Sequence, residues 1–155
     1  AIAYTLIPDL NFEKELISLK IDFGTPDGKI KTSRIENVTS LDVSWSSIAD
    51  LTGIQDFKSL TYLNCNSNSI ASLDLSHNTK LEELYAPSNL LTSLNVSKNT
   101  ALTTLTCSYG KLTTIDVSAL TALKKLDIKN NALTTLDVSA NTQLVNLYCG
   151  KNQLT

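Results

Sequence analysis

"LTYLNCNSNSIASLDLSHNTK", Leu60 to Lys80, runs without a break into "LEELYAPSNLLTSLNVSKNTA" (Leu81–Ala101), "LTTLTCSYGKLTTIDVSALTA" (Leu102–Ala122) and "LKKLDIKNNALTTLDVSANTQ" (Leu123–Gln143). Stacked at a period of 21, these stretches put Leu60, Leu81, Leu102, Leu123 and Leu144 in one column and Leu63, Leu84, Leu105, Leu126 and Leu147 in a second. Ile70, Leu91, Leu112, Leu133 and Leu154 make a third. "LVNLYCGKNQLT", Leu144–Thr155, begins a further unit, and a 22-residue unit, Val38–Ser59, precedes the series with Leu41, Val43 and Ile48 in matching places. Self-similarity at so short a fixed period is the mark of a solenoid in which each repeat buries its apolar face only against its neighbours.

The spacing L-x-x-L-x-L-x-x-N-x-L is that of a leucine-rich repeat with one short strand per coil. In Leu63-Asn64-Cys65 the first and third side chains point inward and the middle one faces solvent. A second segment, such as Ile70-x-x-Leu73-Asp74-Leu75, predicts another short extended stretch on the opposite side, with no room for a long helix. The expected fold is a mostly β, right-handed leucine-rich-repeat solenoid spanning 38–155, with units starting near 38, 60, 81, 102, 123 and 144. Asn68, Asn89, Asn131 and Asn152 end the first segments, and Asn78, Asn99 and Asn141 end the second. A side-chain amide can pair backbone groups that a turn leaves unmatched inside the stack. Leu102–Ala122 breaks both ladders with Gly110 and Leu120. Either that coil is locally bent, or its neighbours tolerate the drift.

Residues 1–37 fall outside the repeat. "IPDLNFEKELISLKI" places Phe12, Leu16 and Leu19 on one helical face with Asp9 as N-cap. "GTPDGKI" then reads as a turn into an extended segment. A helical N-terminal cap sealing the first coil is the expectation.

Composition narrows the functional classes. Thirteen basic residues against 15 acidic ones give a net charge of −2, without the basic surplus of a phosphate-neutralising nucleic-acid binder. No apolar run approaches the roughly 20 residues of a membrane span, and "AIAYTLIP" lacks the build of a secretory signal. Cys65, Cys107 and Cys149 share one column two coils apart. Strands about 4.8 Å apart set them roughly 10 Å from one another, too far for a disulfide or a shared zinc, so they are expected to be packing residues. "LDLSHN" offers Asp74, Ser76 and His77, but the histidine position is Lys98, Ala119 and Ala140 in parallel coils, while the serine recurs as scaffold. Asp42, Asp74, Asn95, Asp116 and Asp137 read as an outward polar ladder on the second segment, with one carboxylate per coil and an interruption at Asn95. Calcium prefers several oxygen ligands from one place, so no metal, cofactor or catalytic residue is assigned.

"IPDLNFEKELISLKID" (7–22), "DGKIKTSRIENVTSLDVS" (27–44), "IADLTGIQDFKSLTYLNCNSNSI" (48–70) and the recurring motif of "TSLNVSKNT" and "TTLDVSANT" together resemble the secreted or surface-anchored leucine-rich-repeat proteins of Bacteroidetes bacteria. The "DLTGIQDFKSLTYL" coil is also similar to internalins, bacterial surface proteins that grip host receptors with a concave sheet. The chain departs from the effector type with Leu-Pro motifs and from the long helix-bearing repeats of ribonuclease inhibitor. The resemblance implies a non-enzymatic binding module at the bacterial surface or outside the cell, and transfers no ligand residue position by position.

Comparison among the coils locates the expected site. The second segments barely change ("ASLDLS", "TSLNVS", "TTIDVS", "TTLDVS"), whereas the outward positions of the first segments differ in every coil. Tyr62, Tyr85, Tyr109 and Tyr148 gather there, with Trp45 in the corresponding place of the first coil. Exposed aromatics on a curved sheet are typical anchors for protein recognition, although tyrosine also suits solvent-facing strands for its own sake. Charge is sorted along the same face. Glu82 and Glu83 lie two coils from Lys124 and Lys125, with Asp127 beside them, which suits a partner of the reverse pattern or a solvated face. A protein ligand on this concave face is the leading expectation. The alternatives are a structural spacer within a larger surface protein and a carbohydrate-binding adhesin. At the C-terminal end, Leu144, Leu147 and Leu154 are left partly uncovered, each such side chain being worth roughly 1.5–3 kcal/mol when fully buried. The expectation is that the chain continues or that this coil meets a second copy end to end.

Overall fold

A computed structural model describes residues 1–155. Six three-residue strands form one parallel sheet in chain order: β3 (Ser40–Asp42), β4 (Tyr62–Asn64), β5 (Glu83–Tyr85), β6 (Thr104–Thr106), β7 (Lys125–Asp127) and β8 (Asn146–Tyr148). Leu41, Leu63, Leu84, Leu105, Leu126 and Leu147 pair in unbroken register at the strand centres. The 21-residue period is therefore one strand-to-strand step, and it winds the right-handed leucine-rich-repeat solenoid that the sequence predicts. The first two leucine columns meet the third inside the coils, where residues from Leu41 to Leu133 belong to one continuous core.

Both asparagine ladders are rungs between coils. Asn89 Nδ2 donates to Cys65 O (2.9 Å) and Ala86 O (3.3 Å), and its Oδ1 accepts from Ile70 N (3.0 Å). Asn68, Asn131 and Asn152 repeat this pattern. In the second ladder Asn78, Asn99 and Asn141 donate to pairs of buried carbonyls, while their own Oδ1 atoms are buried without a partner.

Of the two readings of coil 102–122, tolerated drift fits the structure. β6 keeps register with both neighbours, and Leu120 fills the asparagine place fully buried. The local cost falls on Leu91, whose N–H lacks the amide acceptor that Ile70, Leu112 and Leu133 receive.

The second segments form no ladder of their own. The strand pairs lie wholly on the first-segment face, and behind it successive coils are tied by one backbone bond recurring at the head of each second segment, such as Leu90 N to Ile70 O, 2.8 Å, and Ala132 N to Leu112 O, 2.9 Å. Asp42 also leaves the predicted back-face row. It ends β3 beside Asn64, because its unit contributes its first segment at Leu41-Asp42-Val43. Asp74, Asp116 and Asp137 remain outside, each accepting from the N–H of the serine two residues on.

At the N-terminus, α1 (Leu10–Ser18) buries Phe12 and Leu16, with Asp9 as its N-cap. Leu19 is 41% exposed, contrary to expectation. The helix ends before it, Lys20 turns left-handed (φ 60°), and Ile21 packs against the core in its place. A strand not foreseen from the sequence, β1 (Tyr4–Leu6), pairs antiparallel with β2 (Lys29–Lys31). Glu13, buried beneath the following turn, accepts from the backbone N–H groups of Asp27 and Gly28. Gly53 (φ 111°) lies against this cap so closely that a Cβ would overlap Ile7 Cδ1 and come within 2.8 Å of Leu6 O.

Candidate functional site

Because side chains alternate along each strand, the first and third residues of β3 to β8 line one face of the sheet in rows running across the coils. Glu83, Thr104 and Lys125 share the first-position row. Asn64, Tyr85, Thr106, Asp127 and Tyr148 share the third. Glu82 and Lys124 stand immediately before their strands, exposed, with backbone N–H groups bonded at 2.8 Å to Thr61 O and Thr103 O.

Two tyrosine clusters occupy this face. In the first, the Tyr62 and Tyr85 rings lie 5.5 Å apart at a tilt of 43°. The Tyr85 hydroxyl donates to Glu83 Oε2 at 2.7 Å, and this bond to a carboxylate, with some burial, pushes the phenol up to about 12. In the second, Lys129 Nζ stands 5.7 Å from the ring centres of both Tyr109 and Tyr148 and 3.3 Å from Asp127 Oδ2. The floor between the clusters is Thr106 and Ser108, each 5% exposed, and the Thr106 hydroxyl has no partner.

Trp45 and Tyr109 hold matching places among the outward positions of their coils. They belong to a column just past the strands with Ser67, Ser88, Asn130 and Lys151, all left-handed with φ between 53° and 56°. Non-glycine residues adopt this conformation at a cost, and here every coil imposes it at the same turn. Trp45 is 78% exposed and takes no part in the ring and cation contacts of either tyrosine cluster. Lys129 had no place among the expected site residues, although it draws Tyr109, Asp127 and Tyr148 together. Its readable signal was its position two residues after Asp127, on the same outward side.

Cys65 and Cys107 are buried and Cys149 is partly covered, all three as free thiols. Burial pushes the Cys65 thiol up to about 12 and raises that of Cys107 further, with Cys65 and Asp127 nearby adding to the effect. His77 reaches only its neighbour Ser76, at 3.3 Å, on an exposed turn where the Asp74 carboxylate accepts from the Ser76 N–H. No helix is long and apolar enough to cross a membrane.

Residues 27–147 match the family model of the leucine-rich-repeat domain of the endo-beta-N-acetylglucosaminidase EndoS. Internalin J of Listeria monocytogenes serotype 4b (strain F2365) is 45% identical over 72 residues, which is 46% of this chain and 8% of that protein. Among solved structures, the functional domain of InlJ from Listeria monocytogenes, described as including a cysteine ladder, superposes with a TM-score of 0.92 at 41% identity. That match covers 100% of this chain and 35% of the InlJ chain. The internalin InlF of Listeria monocytogenes gives a TM-score of 0.86 at 26% identity, covering 96% of this chain and 45% of that one. A leucine-rich-repeat protein of Leptospira interrogans gives 0.76 at 25% identity, covering 79% of this chain and 33% of that one. The parallel ladder, the buried asparagine rungs and these matches place the chain in the leucine-rich-repeat family of the EndoS domain, with the internalins as its homologues.

Proposed function

We propose that the chain is a non-enzymatic protein-interaction module of a secreted or cell-surface bacterial protein, holding its partner on the concave strand face. The observation that carries this reading is the division of labour between the two sides of each coil. The back repeats one serine- and aspartate-capped turn, while the sheet face brings four tyrosines and unpaired charges of both signs together in rows. Packing does not require exposed aromatics, whereas recognition uses them as anchors. The surface or extracellular setting comes from the internalin resemblance. The chain spans 8% of Internalin J and 35% of the solved InlJ chain. That small share favours a second reading, in which this stretch is a spacer within a longer array.

Replacing Tyr85 and Tyr148 with alanine tests the assignment. A partner captured by the native chain is lost by the double variant, whose backbone spectrum remains that of the folded chain. Capture that survives the substitutions, or affinity that follows only the number of coils, rules out the sheet face and leaves the spacer.

A further inference from the structure

The two tyrosine clusters are made of the same parts. Each has two tyrosine rings and a carboxylate: Tyr109, Tyr148 and Asp127 in one, Tyr62, Tyr85 and Glu83 in the other. In the first, the chain itself supplies the cation, because Lys129 lies over both rings and pairs with Asp127. In the second, Tyr62 and Tyr85 face no lysine or arginine of this chain, and Glu82 and Glu83 make no ion pair. Aromatic faces beside a carboxylate attract an ammonium or guanidinium group through the ring quadrupole and the charge together. The Tyr85–Glu83 bond turns the phenol hydroxyl toward the carboxylate and leaves Glu83 Oε1 free to accept from a newcomer.

The rows give this seat a direction. Glu83 and Lys125 are two strands apart in one row, with the uncharged Thr104 between them, which is roughly 10 Å. Lys124 and Lys125 make no ion pair, in contrast to Lys129. An extended segment in the polyproline II conformation rises about 3.1 Å per residue with three residues per turn, so side chains three apart stand on one side about 9 Å from each other.

Building on the reading of the sheet as a protein-binding face, we propose that Tyr62, Tyr85, Glu82 and Glu83 seat a lysine or arginine side chain of the partner, and that a carboxylate three residues along the partner's extended segment reaches Lys124 and Lys125. The partner therefore crosses the coils with its basic end toward the N-terminal cap.

The probes are acetyl-Arg-Ser-Ser-Glu-amide and its neutralised counterpart acetyl-Arg-Ser-Ser-Gln-amide, titrated into the whole chain while the tyrosine ring resonances are followed by NMR. The Glu peptide is expected to shift Tyr62 and Tyr85 saturably, with affinity weakened about threefold or more in the E82Q/E83Q variant. The Gln peptide is expected to bind the native chain more weakly than the Glu peptide, and the two to become equal in K124A/K125A. In K129A the response is expected to extend to Tyr109 and Tyr148, which are then open to an external guanidinium. Backbone spectra of all variants monitor folding. The proposal is overturned by the lack of a saturable shift at Tyr62 and Tyr85, by equal binding to native and E82Q/E83Q chains, or by unresponsive Tyr109 and Tyr148 rings in K129A. None of these failures touches the capture test with Y85A/Y148A, which judges the binding face itself.

Discussion

Tyr85 donates its hydroxyl to Glu83 Oε2 at 2.7 Å, a bond between the third and first residues of one three-residue strand. The bond exists only while the phenol keeps its proton, and the carboxylate beside it resists the second negative charge. In an alkaline ultraviolet titration Tyr85 is expected to ionise late, at about 12. Glu83→Gln removes the charge and returns the group toward its ordinary value near 10. The folded-state value is raised, so the stability linked to this bond is present below about pH 10 and is lost as the pH climbs through about 12. A native titration curve indistinguishable from that of the variant would show that the bond does not form in solution.

Asp9 ties the cap to the first coil. Its Oδ1 accepts from Asn11 N and Phe12 N at the start of α1, and its Oδ2 from Ala49 N and Asp50 N at 2.9 and 3.0 Å. Burial works against the charged form, but four backbone donors outweigh it and hold the carboxyl below its usual range. A depressed folded-state value means that the contribution is present above roughly pH 4 and is lost as the pH falls through the folded-state value. The exposed Asp74, Asp116 and Asp137, lowered by bonds from Ser76, Ser118 and Ser139, respond in the same window. The difference between native chain and variant therefore isolates Asp9. Asp9→Asn keeps one acceptor oxygen and sets an N–H2 against N–H donors, at a cost of about 1–3 kcal/mol at pH 7. That difference should shrink in denaturant melts as the pH falls below about 4 through the depressed folded-state value. A gap that stays constant with pH would assign the loss to shape alone.

How far the sequence reveals this molecule depends on what holds each part. The sheet and its register are legible because Leu41, Leu63, Leu84, Leu105, Leu126 and Leu147 recur at a fixed step, and a slip of one residue would turn each of them into solvent. The rungs are legible because asparagine alone among the recurring polar residues both donates and accepts through its side-chain amide. Strand β1 is not legible. Three residues carry almost no periodic signal, and the partner that makes Tyr4–Leu6 a strand lies beyond α1 at Lys29–Lys31. The positive φ of Trp45 is likewise imposed by the coil rather than chosen by tryptophan, so its column is readable in the sequence while its left-handed backbone is not. The pairing of Tyr62 with Tyr85 and the position of Lys129 between two rings are side-chain arrangements across coils, settled by rotamers that no column of letters contains.

The cysteine column makes its own prediction. Cys65 and Cys107 lie 0% and 3% exposed, with thiols raised by burial, so neither offers a thiolate to a reagent in the folded chain. Cys149 is partly covered in the last strand's coil. Under native conditions a thiol reagent should label Cys149 first and the other two only at the rate of opening, with all three reacting together in denaturant. Equal labelling of the three in the native state would contradict the packing of the column.

Asn89 provides the most direct measure of what the rungs contribute. Its amide satisfies Cys65 O, Ala86 O and Ile70 N, all within the stack. Asn89→Ala strands Ala86 O and Ile70 N where water has little access and leaves Cys65 O only its bond from Asn68 Nδ2, and each buried polar group left unpaired costs about 1–3 kcal/mol. A loss of roughly 3 kcal/mol or more is expected in urea unfolding. Asn152→Ala should cost less, since its rung at Ile128 O, Cys149 O and Leu133 N lies beside an exposed coil where water can replace the amide. Asn89→Asp keeps the acceptor but faces two carbonyls with a carboxylate, so it should be at least as damaging as alanine at pH 7 and recover partly in acid, where a protonated carboxyl can donate again. Costs well below 1 kcal/mol at both positions 89 and 152 would mean that the coils close around a missing amide without loss, and the ladder would then be a by-product of turn geometry rather than what holds the stack.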